Sequence, residues 1–96
     1  MTILNQEEIE RELSKLSEGW YNRANTLVGE FFFTKYLGAL DFVNMVGLLA
    51  EQQQHHPRIK LDYRQVKIHI TTHDADNNLT YKDFKLAAAI DQILLE

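Results

Sequence analysis

The segment Tyr36 to Gln53 constrains the fold more than any other part of the chain. Read as a helix, it carries apolar residues at positions 36, 40, 43 and 47 in one stripe, and Phe42, Met45 and Leu49 widen that stripe to much of the circumference. Such a helix needs cover on more than one side. The chain has 96 residues, a length at which folding hides only about 60 to 65% of the surface that the unfolded chain exposes. A single domain spanning residues 1–96 therefore has a thin core, with one sheet to set against the helix. The apolar surplus reads either as an oligomer interface or as a broad core face.

The flanking segments supply that sheet. Asn5 can cap a first helix with Glu8 completing a capping box, Ile9, Leu13 and Leu16 recur on one side, and Gly19 is the expected stop. Trp20 to Arg23 and Thr26 to Phe33, rich in aromatic and β-branched residues around Ala24-Asn25, read as a hairpin with Leu27, Phe31 and Phe33 on one face. After the long helix come a short extended stretch, Ile59 to Asp62, and the alternating run Gln65 to Thr72, in which Val66, Ile68 and Ile70 share a face. Thr80 then caps a last helix, with Asp83 at the third position and Leu79 placed to pack on Phe84. The order α-β-β-α-β-β-α implies an α+β, two-layer domain: a four-stranded antiparallel sheet with helices on one face.

Composition removes several classes of function. The net charge of -4 gives no footprint for nucleic acid, and the apolar runs are too short and interrupted to span a bilayer. The absence of cysteine excludes thiolate chemistry and disulfides, so a metal would need His and carboxylate ligands. Met1 to Glu10 is acidic and polar where an export signal needs a basic start and an apolar stretch, and the expected location is the cytoplasm.

His55, His56 and His73 fall where elements end, which is where a scaffold presents reactive groups. Pro57 disfavours helical geometry at His56, so the long helix finishes around Gln54 or His55 and the two imidazoles part company there. Glu51, one turn before His55, is expected to pair with it and favour its imidazolium, as does the helix's negative end. If the Gln65 to Thr72 strand is central, His73 meets the helix terminus in one cleft. Against this stand plainer readings: a polar helix stop for the pair, a solvated strand residue for His69, a cap for Asp83, and core packing for Trp20. Adjacent histidines rarely converge on one ion, so no metal is expected.

The stretch Glu51-Gln-Gln-Gln-His55-His56-Pro57, with Tyr63, Val66, Thr71-Thr72-His73 and Leu79-Thr80-x-x-Asp83, resembles the signature of the pterin-4a-carbinolamine dehydratases. Gly19-Trp20, Phe31-x-Phe33 and Tyr36 extend the resemblance over nearly the whole chain. It implies the α+β order above, assembly into homodimers or homotetramers, and dehydration of 4a-hydroxytetrahydropterin to quinonoid dihydropterin with no metal or cofactor. The substrate would come from an aromatic amino acid hydroxylase, a possible functional partner. The resemblance makes His55, His56 and His73 the catalytic histidines and Glu51 their assisting carboxylate. Gln54, Thr71, Thr72 and Asp74 would line the pterin pocket, with Trp20 at its wall. Two departures stand out: Asn77-Asn78 replaces a glycine-containing turn, and Gln54 stands where mammalian members carry an acid. Asn tolerates left-handed backbone angles, so that turn can survive.

The chemistry suits these residues. Loss of water from a carbinolamine needs a proton delivered to the 4a-hydroxyl and one removed from N5, and imidazole serves either task near neutral pH. The competing expectation is a non-catalytic dimerisation or binding module on the same fold, which has no physical need for an imidazole cluster beside a carboxylate. A metallohydrolase is the third.

Overall fold

In the computed structural model, which describes residues 2–95, Glu8 N donates to Asn5 Oδ1 at 2.8 Å and Asn5 N to Glu8 Oε1 at 3.0 Å. This is the expected capping box, and it starts α1 (Gln6–Leu13). Met1 and Glu96, the ends of the expected domain, lie outside the described residues. The stop at Gly19 is not observed: α1 ends at Leu13, where the Ser14 hydroxyl turns back to Arg11 O at 2.6 Å and competes with further helical bonding. Gly19 serves a close approach instead, since a Cβ there would lie 2.8 Å from the Phe31 ring and 3.0 Å from Glu30 O.

β1 (Trp20–Arg23) and β2 (Thr26–Phe32) form the hairpin, joined by Ala24 and Asn25 at φ 51° and 63°. Such left-handed pairs match the twist of the strands they join. Leu27 and Phe31 are buried on the inner face, and Phe33, just beyond β2, packs against the same core. β3 (Arg58–Asp62) and β4 (Gln65–Ile70) make the second hairpin, and the sheet order β1-β2-β4-β3 is antiparallel throughout. β4 is therefore central. It ends two residues earlier than the alternation suggests, because Thr72 leaves the ladder to pair with Asn78.

The helices α2 (Tyr36–Gln53) and α3 (Tyr81–Leu95) cover the inner face, completing the expected α+β architecture. The buried side of α2 differs from the expected stripe. Ala39, Phe42, Val46 and Ala50 face the core, while Tyr36 is exposed and Leu40, Val43 and Gly47 are half-buried. Aromatic packing sets this rotation: Phe42 lies 5.5 Å from Phe31 and 5.0 Å from Phe33 between ring centroids. Among the described residues no helix is long and apolar enough to cross a membrane.

Candidate active site

Helix α2 stops because Gln54 adopts a left-handed conformation, φ 51° and ψ 44°, with its side-chain amide donating to Glu51 O at 2.7 Å. The left-handed residue swings His55 off the helical face. The expected Glu51–His55 pair is consequently not formed. Glu51 Oε1 instead accepts from His56 Nε2 at 2.6 Å, and His55 Nε2 donates to Asp83 Oδ1, also at 2.6 Å. The two pairs occupy different environments. Asp83 is fully buried and His55 nearly so, whereas the side chains of His56 and Glu51 are 57% and 71% exposed.

Asp83 is held from three sides. Its Oδ2 accepts from Thr80 N at 2.9 Å and from the Thr72 hydroxyl at 2.8 Å, and Thr72 in turn accepts from Thr80 Oγ1 at 2.8 Å. The carboxylate that caps α3 is thus also the one that orients His55. Sequence reasoning weighted Asp83 as a cap, and the capping spacing gave no sign that its second oxygen faces a histidine.

His73 opens a short 3₁₀ turn (His73–Ala75) after β4. Asp76 and Asn77 follow at φ 59° and 60°, so Asn77 supplies the left-handed turn in place of glycine. Its Oδ1 accepts from His73 Nδ1 at 2.7 Å.

A cavity of about 190 Å³ lies where the ends of α2 and β4 meet, lined by Gln54, His55, His56, Thr71, Thr72, His73, Asp74 and Lys82. It gathers the three expected histidines and the four expected polar residues of the chain's own segments. Thr71 donates its hydroxyl to Asn25 O at 3.0 Å, tying the cavity wall to the first hairpin. Lys82, in the first turn of α3, is an addition that no spacing argument singled out. Trp20 is a correction. Its ring is buried against Phe31, its Nε1 donates to Asp91 Oδ1 at 2.8 Å, and it does not line the cavity.

Each imidazole has one nitrogen committed to an oxygen that can only accept, which fixes a hydrogen on that nitrogen. The other nitrogen, Nδ1 of His55 and His56 and Nε2 of His73, is left to accept or donate a proton. Among the described residues no group of three or more His, Asp or Glu side chains is gathered to hold a metal ion.

A histidine-lined cavity at the end of a central strand of an α+β sheet holds the kind of groups that proton transfer to a small molecule requires. Residues 2–93 match the family described as Pterin 4 alpha carbinolamine dehydratase, and the chain belongs to that family. It is 41% identical over 92 residues to a protein of Picosynechococcus sp., covering 96% of this chain and 98% of that one. With a Chloroflexus aggregans protein it shares 43% over 94 residues, covering 98% and 99%. Both relatives are provisionally named pterin-4-alpha-carbinolamine dehydratases. A transcriptional coactivator/pterin dehydratase from Brucella melitensis has a similar structure, with TM-score 0.88 and 28% identity over 96% of this chain and 98% of that one. A pterin dehydratase-like RuBisCO assembly factor of the alpha-carboxysome shares the fold at TM-score 0.63, with 20% identity over 76% of this chain and 83% of its own.

Proposed function

We propose that the protein dehydrates 4a-hydroxytetrahydropterin by histidine general acid–base catalysis. The observation that carries this reading is the single cavity lined by His55, His56 and His73, each with one ring nitrogen committed and the other available. In the reaction the C4a–O bond breaks as the N5 lone pair forms the C4a=N5 double bond. The hydroxyl takes a proton and leaves as water, and N5 gives up its own. His55 donates the first proton from Nδ1, and His73 accepts the second on Nε2. Asp83 takes the part expected of Glu51, compensating positive charge on His55 and fixing its ring. His56 lies along the pterin with Glu51 behind it, and Gln54, Thr71, Thr72, Asp74 and Lys82 offer hydrogen-bonding groups to its polar edges. Neither a covalent intermediate nor a redox step is required. The substrate's origin is an oxygenation that leaves the hydroxyl on C4a, as in aromatic amino acid hydroxylation.

The test is dehydration of 4a-hydroxytetrahydropterin by the purified protein, measured against the spontaneous reaction. Acceleration is expected, unchanged by exhaustive chelation, with kcat/KM falling by about 10² to 10⁴ in His73→Ala. Binding of a pterin or of another protein with no acceleration would replace this reading with the non-catalytic module.

A further inference from the structure

A second cavity of about 220 Å³ opens on the outer face of the sheet, lined by Thr26, His56, Arg58, His69, Thr71 and His73. His56, Thr71 and His73 line the candidate catalytic cavity as well, so the two cavities adjoin at these residues. Their chemistry differs. No carboxylate lines the second cavity, and Arg58 faces His69 directly across the β3–β4 ladder. Lys60 and Lys67 form the next pair on the same face of that ladder, and Arg23 lies at the end of β1. Among the described residues, none of these four cations is within salt-bridge distance of a carboxylate. Glu30, the acid facing Lys67, is already engaged by the Tyr21 hydroxyl and by Gln65 Nε2. Asp62 sits at the far end of β3, opposite Gln65.

His69 marks the electrostatic sign of this region. Burial, then Lys60, Arg58, Lys67 and Arg23, hold its imidazole below the ordinary histidine range, and its Nε2 is shut off from solvent with no hydrogen-bond partner. Glu51 is bonded to His56 of this lining, and apart from it a chain of net charge -4 has concentrated unpaired cations beside the histidines of its candidate site.

The substrate's covalent structure says what arrives there. On a pterin the C6 substituent leaves the ring at the atom bonded to N5. If C4a faces His55 and N5 faces His73, which lines both cavities, C6 lies next to the second cavity. We infer that this cavity receives an anionic terminus, a phosphate or a carboxylate, carried on the C6 substituent of the pterin. Arg58 supplies charge-assisted hydrogen bonds and Thr26 a neutral hydroxyl, with His69 forming the wall opposite Arg58. This rests on the dehydratase reading for the placement of the ring, but the charge of the cavity does not depend on catalysis.

Calorimetric titration with unreactive 7,8-dihydropterins separates the two ideas: 6-hydroxymethyl-dihydropterin, its monophosphate, and 6-carboxy-dihydropterin. The anionic ligands should bind about tenfold or more tightly than the neutral one at low salt, the preference fading as salt rises. Preference for the monophosphate alone would assign the cavity to phosphate, and equal preference to any anion. Arg58→Gln, at an exposed edge position, should reduce the ratio of neutral to anionic Kd toward one. Equal Kd for all three ligands in the wild-type protein overturns the inference. Anionic preference without dehydration of any 4a-hydroxypterin would retain the subsite and remove the dehydratase reading.

Discussion

At the scale of single residues, the site turns on which carboxylate serves which histidine. Asp83 is fully buried and its three hydrogen bonds leave it little freedom, so His55 is held rigidly. Glu51 meets His56 in water, where such pairs contribute only about 0 to 1 kcal/mol. Asp83→Asn should therefore lower kcat/KM by about 10² or more, as for loss of a group that orients a catalytic imidazole. It should also lower unfolding stability by about 2 kcal/mol, because hydrogen bonds to a charged group contribute roughly 1.5 to 3. For Glu51→Gln the expected loss in kcat/KM is less than about tenfold. Steady-state kinetics and thermal melts on the two variants decide it, and a greater rate loss in Glu51→Gln would transfer the central role to His56. The histidines themselves were legible as element-end residues because Pro57 and the close of the alternating run before His73 mark where the backbone must turn. Their partners were not, since one left-handed residue, Gln54, redirects His55 by an amount that helical spacing does not encode.

At the scale of elements, strand alternation and N-terminal caps translated into structure directly, whereas the helix stop at Gly19 and the helix faces did not. Val66, Ile68 and Ile70 must share a side of β4 whatever surrounds it, and Asn5 with Glu8 closes a local ring of hydrogen bonds. The buried stripe of α2 depends on distant partners, Phe31 and Phe33, so its rotation was open in a segment apolar nearly all round. Trp20 follows the same rule. Its role comes from α3, whose Asp91 accepts from the indole while also accepting from Ser17 N and its hydroxyl, locking β1 and the α1–β1 connection to the last helix. In Trp20→Phe the ring packing on Phe31 is mostly kept and Asp91 retains its Ser17 partners, so stability should fall by about 1 kcal/mol. Pterin Kd should stay unchanged. Weakened pterin binding with unaltered stability, read by calorimetry and denaturant melts, would return Trp20 to the pocket wall.

At the scale of the whole molecule, the apolar surplus of α2 has not disappeared into the core. Leu37 and Leu48 are each 67% exposed, and eleven positions of separation bring them to one face, three turns apart. Met45 lies beside that face at 39% exposed. Single exposed leucines are ordinary in soluble proteins, but two on a common helical face in a domain with so thin a core form a surface that gains by being covered. A second copy of the chain is the simplest cover, because a two-fold interface uses the same face on both partners. The purified protein is expected to sediment as a dimer or larger at micromolar concentration. Leu48→Lys should shift it toward monomer, since a charge set against its own symmetry mate is both desolvated and opposed by a like charge. An activity assay run beside the sedimentation tells whether assembly stabilises the chain or completes the site. A wild-type protein that sediments as a monomer would mean that water is sufficient cover for α2.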